Sequence, residues 1–246
     1  MIPILRGLLF NLVYAFSVVL FGSIGLPILI ALPLEKRYKI TGLWVNFLEW
    51  WLKIACGISH EVEGIDNLPE NACVVVSNHQ STWETFFLQR HFSPQATVLK
   101  RELLFIPFFG WVIQLMNPII IDRSKKTNAL KEIIRQGSNR LKHGVWVLIF
   151  PEGTRVAPGE IKPHFSGGSM LAVKAGVPIV PMVHNAGTHW PAHRISKYPG
   201  IIKVKIGAPI DTQGKSPKVI TREIESWMRE ELKHLEETDL QIYSTS

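Results

Sequence analysis

An α/β fold, an open mixed sheet flanked by helices and preceded by an N-terminal membrane-binding helical segment, is what three features of this sequence predict. Four short apolar runs, residues 72–76, 97–99, 118–121 and 145–150, each end on polar or charged residues. Residues 127–143 and 217–237 carry apolar side chains at helical spacing. A 28-residue run without charge, from Gly7 to Leu34, precedes them all. At 246 residues the chain is long enough for one core-bearing domain plus an appendage.

The appendage comes first. Its uncharged run is rich in Leu, Ile, Val and Phe, and a membrane span needs only about 20 such residues. It exceeds the ~7–15-residue apolar region of a signal peptide, and no A-x-A site precedes the charged stretch. Gly22, Gly25, Pro27 and Pro33 are expected to kink or break a single helix, which leaves two forms, a span to about residue 25 and a re-entrant hairpin. Glu35, Lys36, Arg37 and Lys39 follow the run, whereas only Arg6 and the terminal amine precede it. The positive-inside rule then sets the domain that follows on the cytoplasmic face. Over residues 42–57, Leu43, Trp44, Phe47, Trp50, Trp51 and Ile54 recur at helical spacing. Such a helix suits the headgroup level of a membrane, and equally suits packing on the domain's own core. Residues 1–58 therefore read as a membrane-embedded and amphipathic segment, and residues 59–240 as the domain.

Within the domain, the run at 72–76 is followed by Asn78 and His79 and then by a helix-like stretch containing Thr85, Phe86, Phe87 and Leu88. The run at 97–99 ends on Lys100, that at 118–121 on Asp122 and Arg123, and that at 145–150 on Pro151-Glu152-Gly153-Thr154-Arg155. Residues 127–143 place Leu130, Ile133, Ile134 and Leu141 on one helical face, with Gly144 after them. Ser216-Pro217 opens a charged amphipathic helix to about residue 237, and residues 238–246 read as a loose tail. In open α/β sheets ligands bind beyond the carboxyl ends of the strands. Four runs delivering His79, Lys100, Arg123 and the 152–155 string thus point to one cleft.

The residue types there fit chemistry on a phosphorylated alcohol. A histidine with a nearby carboxylate is equipped to take a proton from a hydroxyl. Glu84 lies five residues after His79, and because each helical residue turns about 100°, a regular helix would set the two about 140° apart. A bent turn over Gln80, Ser81 and Thr82 is needed to join them. Arg155 and Arg123 offer forked donors for phosphate oxygens, Lys100 a point charge, and Gly153 close approach of the backbone. Taken singly, each residue has a plainer reading: His79 as a core or surface histidine, Lys100 and Arg123 as solvated charges, the 151–154 string as a turn. Their ordered arrival at strand ends weighs against that. His189 and His193 are four apart like a metal pair, but Pro191 between them opposes the helix such a pair needs, so both read as loop residues. No metal is expected.

Asn78-His79 with Glu84, residues 100–111 (KRELLFIPFFGW), residues 118–123, residues 150–155 (FPEGTR) and residues 177–181 (VPIVP) resemble the motif blocks of the glycerolipid acyltransferases. The resemblance is closest to 1-acylglycerol-3-phosphate acyltransferases of the bacterial type and covers roughly residues 70–210, with the blocks in the same order and spacing. One position departs: the family usually has Asp where this chain has Glu84, a side chain longer by about 1.3–1.5 Å. The resemblance implies that His79 is the general base for the acceptor hydroxyl, which attacks the thioester of acyl-CoA or acyl-carrier protein, and that Glu84 orients the imidazole. That is the logic of a triad in which substrate supplies the nucleophile, and no G-x-S-x-G elbow occurs in the chain. Lys100, Arg123, Gly153, Thr154 and Arg155 are implied to hold the acceptor's phosphate, and Glu152 is assigned to ordering Arg155 or the acceptor's free hydroxyl. The implied reaction converts 1-acyl-sn-glycerol-3-phosphate to phosphatidate without a cofactor. Another lysophospholipid, a lyso-aminolipid or glycerol 3-phosphate are alternative acceptors.

A formal net charge of +7 and a pI near 9.5 suit an anionic membrane surface. Nucleic acid is not an expected partner: the basic residues are scattered, no nucleic-acid motif occurs, and the apolar start would be unexplained. Cys56 and Cys73, with no C-x-x-C, read as reduced thiols. Two other classes compete, a membrane-bound hydrolase using His79 and Glu84 with water, and a non-catalytic lipid-binding protein. The first has no use for an acceptor site at 152–155, and the second none for the His79 and Glu84 pair.

Overall fold

The chain order in the computed structural model is α1 (Ile2–Ile30), α2 (Leu34–Cys56), β1 (Ile58–Glu63), β2 (Val74–Ser77), α3 (Trp83–His91), β3 (Gln95–Lys100), α4 (Phe109–Leu115), β4 (Ile119–Ile121), α5 (Lys126–Lys142), β5 (Trp146–Ile149), α6 (Gly167–Ala175), β6 (Ile179–His184), α7 (Ala186–His189), β7 (Gly200–Ile206) and α8 (Pro217–Ser244). The structure describes residues 1–122, 126–160 and 162–244, with backbone alone for 126–127 and 237–244. Arg123, assigned from the sequence to the phosphate site, lies outside the described residues.

The four apolar runs of the sequence form β2, β3, β4 and β5, which together with β6 pair in parallel. Their carboxyl ends therefore share one edge. The full order is β1-β7-β6-β2-β5-β3-β4, and the antiparallel pairing of β6 with β7 makes the sheet mixed. Alternate residues face opposite layers, as the two-residue period of a strand requires. Val75 and Leu148 pack toward α1, α2 and α3, while Val74, Val76, Val147 and Ile149 pack toward α5, α6 and α8.

At the amino terminus α1 runs unbroken through Gly22, Gly25 and Pro27, contrary to the expected kink. Packing supplies what the sequence withholds. Gly22 is placed where a Cβ would meet the Cβ of Phe108 at 2.5 Å, so the absent side chain lets α1 lie on the start of α4. Phe10 meets the Trp190 ring edge-on at 4.9 Å, Tyr14 meets Phe86 and Phe21 stacks on Trp44. Three residues separate α1 from α2, which starts at Pro33 as its N-cap. The charged stretch after the apolar run thus opens α2, where Arg37 donates from Nε to Leu32 O at 2.8 Å and from Nη1 to Leu115 O at 2.9 Å. The Tyr38 hydroxyl donates to the main chain of β3 at Gln95 and reaches Met116 O at 3.0 Å.

The amphipathic face read over residues 42–57 divides in two. Trp44 and Trp51 pack inward against the core, whereas Leu43, Phe47, Trp50 and Ile54 face outward. Leu8, Leu12, Phe16 and Val19 of α1 are also exposed. Helix α1 is long and apolar enough to cross a membrane, yet it is docked along its length. At the other end α8 continues to Ser244, where a loose tail was expected; its Glu236 is anchored on the domain, as described below.

Candidate active site

The bent turn that joins His79 to Glu84 lies at the carboxyl end of β2. Gln80, Ser81 and Thr82 are non-helical, α3 starts at Trp83, and Glu84 sits in its first turn. From there the carboxylate folds back. Glu84 Oε1 is 2.6 Å from His79 Nδ1 and also accepts from the N–H groups of Gln80 at 3.1 Å and Ser81 at 2.9 Å. Glu84 is fully buried, and its Oε2 has no hydrogen-bond partner. Burial alone would push its carboxyl up, but His184, the hydrogen bond and charge of His79 and the Ser81 N–H hold it below the ordinary carboxylate range. An ionised Glu84 keeps the ring proton of His79 on Nδ1, which leaves the Nε2 lone pair available.

The His79 ring stacks on Phe150 with centroids 4.1 Å apart and planes 18° apart. Its backbone is held on both sides: Val156 N–H donates to His79 O at 2.7 Å, and His79 N–H donates to Glu152 Oε2 at 2.8 Å. Glu152 therefore secures the main chain of His79, and among the described residues it makes no hydrogen bond to Arg155, one of the two partners, with the acceptor's free hydroxyl, that the sequence suggested. Burial pushes the Glu152 carboxyl up to about 7, against the His79 N–H; Glu84 adds to the rise and Lys162 opposes it.

A cavity of about 400 Å³ opens at His79. Thr154, Arg155 and Lys100 line it together with His79, so four of the residues singled out in the sequence do meet. Arg155 spends its Nε on Ser81 O at 3.0 Å, leaving the terminal nitrogens of the fork. Gly153 turns the chain between Glu152 and Thr154 at φ 69°, a backbone that side chains resist. Away from His79 the cavity is mostly apolar, with Val18, Phe21, Val45, Phe86, Phe108 and Val112 in its wall beside a few polar side chains such as Thr41 and Gln89. Its wall thus includes α1 and α2.

Several supporting residues carry no strong sequence signal. Asn78 Nδ2 donates to His184 O at 2.8 Å and Asn78 Oδ1 accepts from His184 N at 3.0 Å, which ties the ends of β2 and β6. The His184 ring, whose pKa burial lowers against the opposing charge of Glu84, bridges Asn78 O at 3.0 Å and the Ala186 N–H at 3.2 Å. His189, expected in a loop, ends the short helix α7 and is buried; His193 lines the cavity with φ 58°. Among the described residues no three His, Cys, Asp or Glu side chains gather as a metal site.

A buried carboxylate on a histidine that faces a lipid-sized cavity, on a sheet of this topology, defines a class, and the comparisons with known proteins agree. Residues 59–185 match the family model described as Acyltransferase. A 1-acyl-sn-glycerol-3-phosphate acyltransferase of Pseudomonas aeruginosa is 45% identical over 230 residues, covering 92% of this chain and 90% of that protein. One from Saccharomyces cerevisiae is 36% identical over 135 residues, covering 54% of this chain and 45% of that protein. The crystal structure of the 1-acyl-sn-glycerophosphate acyltransferase PlsC from Thermotoga maritima superposes with a TM-score of 0.79 at 28% identity, covering 95% of this chain and 96% of that one. The chain belongs to the acyltransferase family and is an O-acyltransferase.

Proposed function

We propose that this chain acylates 1-acyl-sn-glycerol-3-phosphate to phosphatidate, with His79 as general base and an acyl thioester, acyl-CoA or acyl-carrier protein, as donor. His79 Nε2 takes the proton of the acceptor hydroxyl as its oxygen attacks the thioester carbonyl. The carbon–sulfur bond then breaks, and the departing thiolate takes the proton back from the imidazolium. Glu84 stabilises that imidazolium. The single observation that carries this reading is the 2.6 Å contact between His79 Nδ1 and a fully buried Glu84, with His79 lining the cavity.

Arg155, Thr154 and Lys100 line the same cavity and offer the charge-assisted donors that a phosphate monoester requires. Arg123 is assigned to this group by its place after β4. The apolar part of the cavity takes an acyl chain; its volume lies within the ~300–1,000 Å³ of small-molecule sites. Because α1 contributes to that wall and exposes Leu8, Leu12 and Phe16 on its outer side, the protein lies on a membrane with the cavity reached from the lipid. The turn between α1 and α2 at residues 31–33, with the two helices packed on each other, favours the hairpin reading over a free span. Lys36, Arg37 and Lys39 behind the apolar run support placement on the cytoplasmic face, where both donors occur.

The test is acyl transfer from a labelled thioester to a panel of acceptors, followed by mass spectrometry. Phosphatidate formed in preference to acylated lysophosphatidylcholine, lyso-aminolipid or glycerol 3-phosphate supports the assignment; a headgroup without a phosphate monoester preferred over lysophosphatidate refutes it.

A further inference from the structure

We propose that Glu236, near the end of α8, is a positioning residue for the His79–Glu84 pair and acts through the side chain of Gln80. The inference rests on the reading of that pair as catalytic. Gln80 follows His79 directly and is almost wholly buried. Its backbone N–H donates to Glu84 Oε1 at 3.1 Å, so the peptide joining His79 to Gln80 belongs to the carboxylate's hydrogen-bond shell. Its side chain is fixed from two other elements. Gln80 Oε1 accepts from the Gly187 N–H of α7 at 3.2 Å, and Gln80 Nε2 donates to Glu236 Oε1 at 3.2 Å.

Glu236 serves a second donor at the same time. The Gly159 N–H lies 3.3 Å from its Oε1 and 3.2 Å from its Oε2, which ties α8 to the turn that follows Val156, and Val156 N–H holds His79 O. One carboxylate thus joins both strands of chain that set the His79 backbone. It lies 152 residues after Glu84 in the sequence and is not among the residues that line the cavity. A buried amide whose donor loses its acceptor must find another, and Gln80 has only its own backbone turn to move. Small displacements of a catalytic group cost rate and leave binding intact, which separates this role from a contact with substrate.

The experiment compares steady-state kinetics of the full-length protein with its variants at Gln80 and Glu236, with thermal unfolding measured alongside. Glu236→Ala lowers kcat about tenfold or more, with KM for donor and acceptor changed less than about twofold. Gln80→Ala does the same, and the double variant loses no more than the worse single one, because the two act in series. Gln80→Glu alone sets two carboxylates face to face and lowers kcat. Combining it with Glu236→Gln restores a donor–acceptor pair and recovers most of the rate. Unchanged kcat in Glu236→Ala, multiplicative losses in the double variant, or no recovery in the exchanged pair overturns the proposal. Activity in His79→Ala would instead remove the reading on which it rests.

Discussion

At the scale of single residues the site depends on how one carboxylate reaches a histidine. Glu84 Oε1 already serves His79 Nδ1 and two backbone N–H groups. Glu84→Asp withdraws it by about 1.3–1.5 Å, enough to break the 2.6 Å contact. Its kcat is expected to fall at least tenfold with KM little changed, which steady-state kinetics will show; wild-type rates would mean the turn follows the shorter side chain. Glu152 gives a pH prediction with a definite sign. Its carboxyl is raised from 4.5 to about 7, chiefly by burial, so its contribution to folding is complete below 4.5 and is lost as pH rises through about 7. Glu152→Gln retains an oxygen for the His79 N–H and carries no charge. Chemical denaturation from pH 5 to 8 should therefore show the wild type losing at most about 3 kcal/mol that the variant keeps. Arg155→Ala should raise KM for a phosphate-bearing acceptor about ten- to a hundredfold, the range for a lost charged hydrogen bond, with a smaller effect on the donor.

Elements differ in how much of themselves they disclose in sequence. The strands β2 and β5 are buried on both faces and are legible as unbroken apolar runs. By contrast, β1 reads ISHEVE and β7 GIIKVKI, half-exposed alternations with charges that no single strong signal marks. Helix α1 was legible as apolar but not as docked, because a helix apolar all round has no periodicity from which to read its buried face. The structure separates the two faces and allows a test. Leu8, Leu12 and Phe16 changed together to Ser should reduce sedimentation with anionic vesicles while the thermal midpoint hardly moves. Gly22→Ala should keep vesicle binding and cost about 1–3 kcal/mol of stability through its clash with Phe108. Residual vesicle binding would come from Leu43, Phe47, Trp50 and Ile54, not from the inward-facing Trp44 and Trp51. Deleting residues 1–34 is a poor test of anchoring, since it also strips Phe10 from the core.

For the whole molecule, the parallel strands explain why distant sequence blocks form one site: their carboxyl ends share an edge, and the polar residues at those ends meet there. His79, Glu84, Lys100, Thr154 and Arg155 were legible because their side chains carry the chemistry. The partners of Glu152 and Gln80 were not, because a backbone N–H or a residue 156 positions away leaves no local pattern. Acyl transfer to lysophosphatidate is proposed to pass through His79. The most direct measurement is phosphatidate formation by purified His79→Ala protein in lipid vesicles, from a labelled acyl thioester, beside wild type and with unfolding checked in both. Loss of the general base should lower turnover by at least ~10²–10⁴-fold while the protein stays folded and vesicle-bound. Near-wild-type turnover by the folded variant would show that His79 is not the general base.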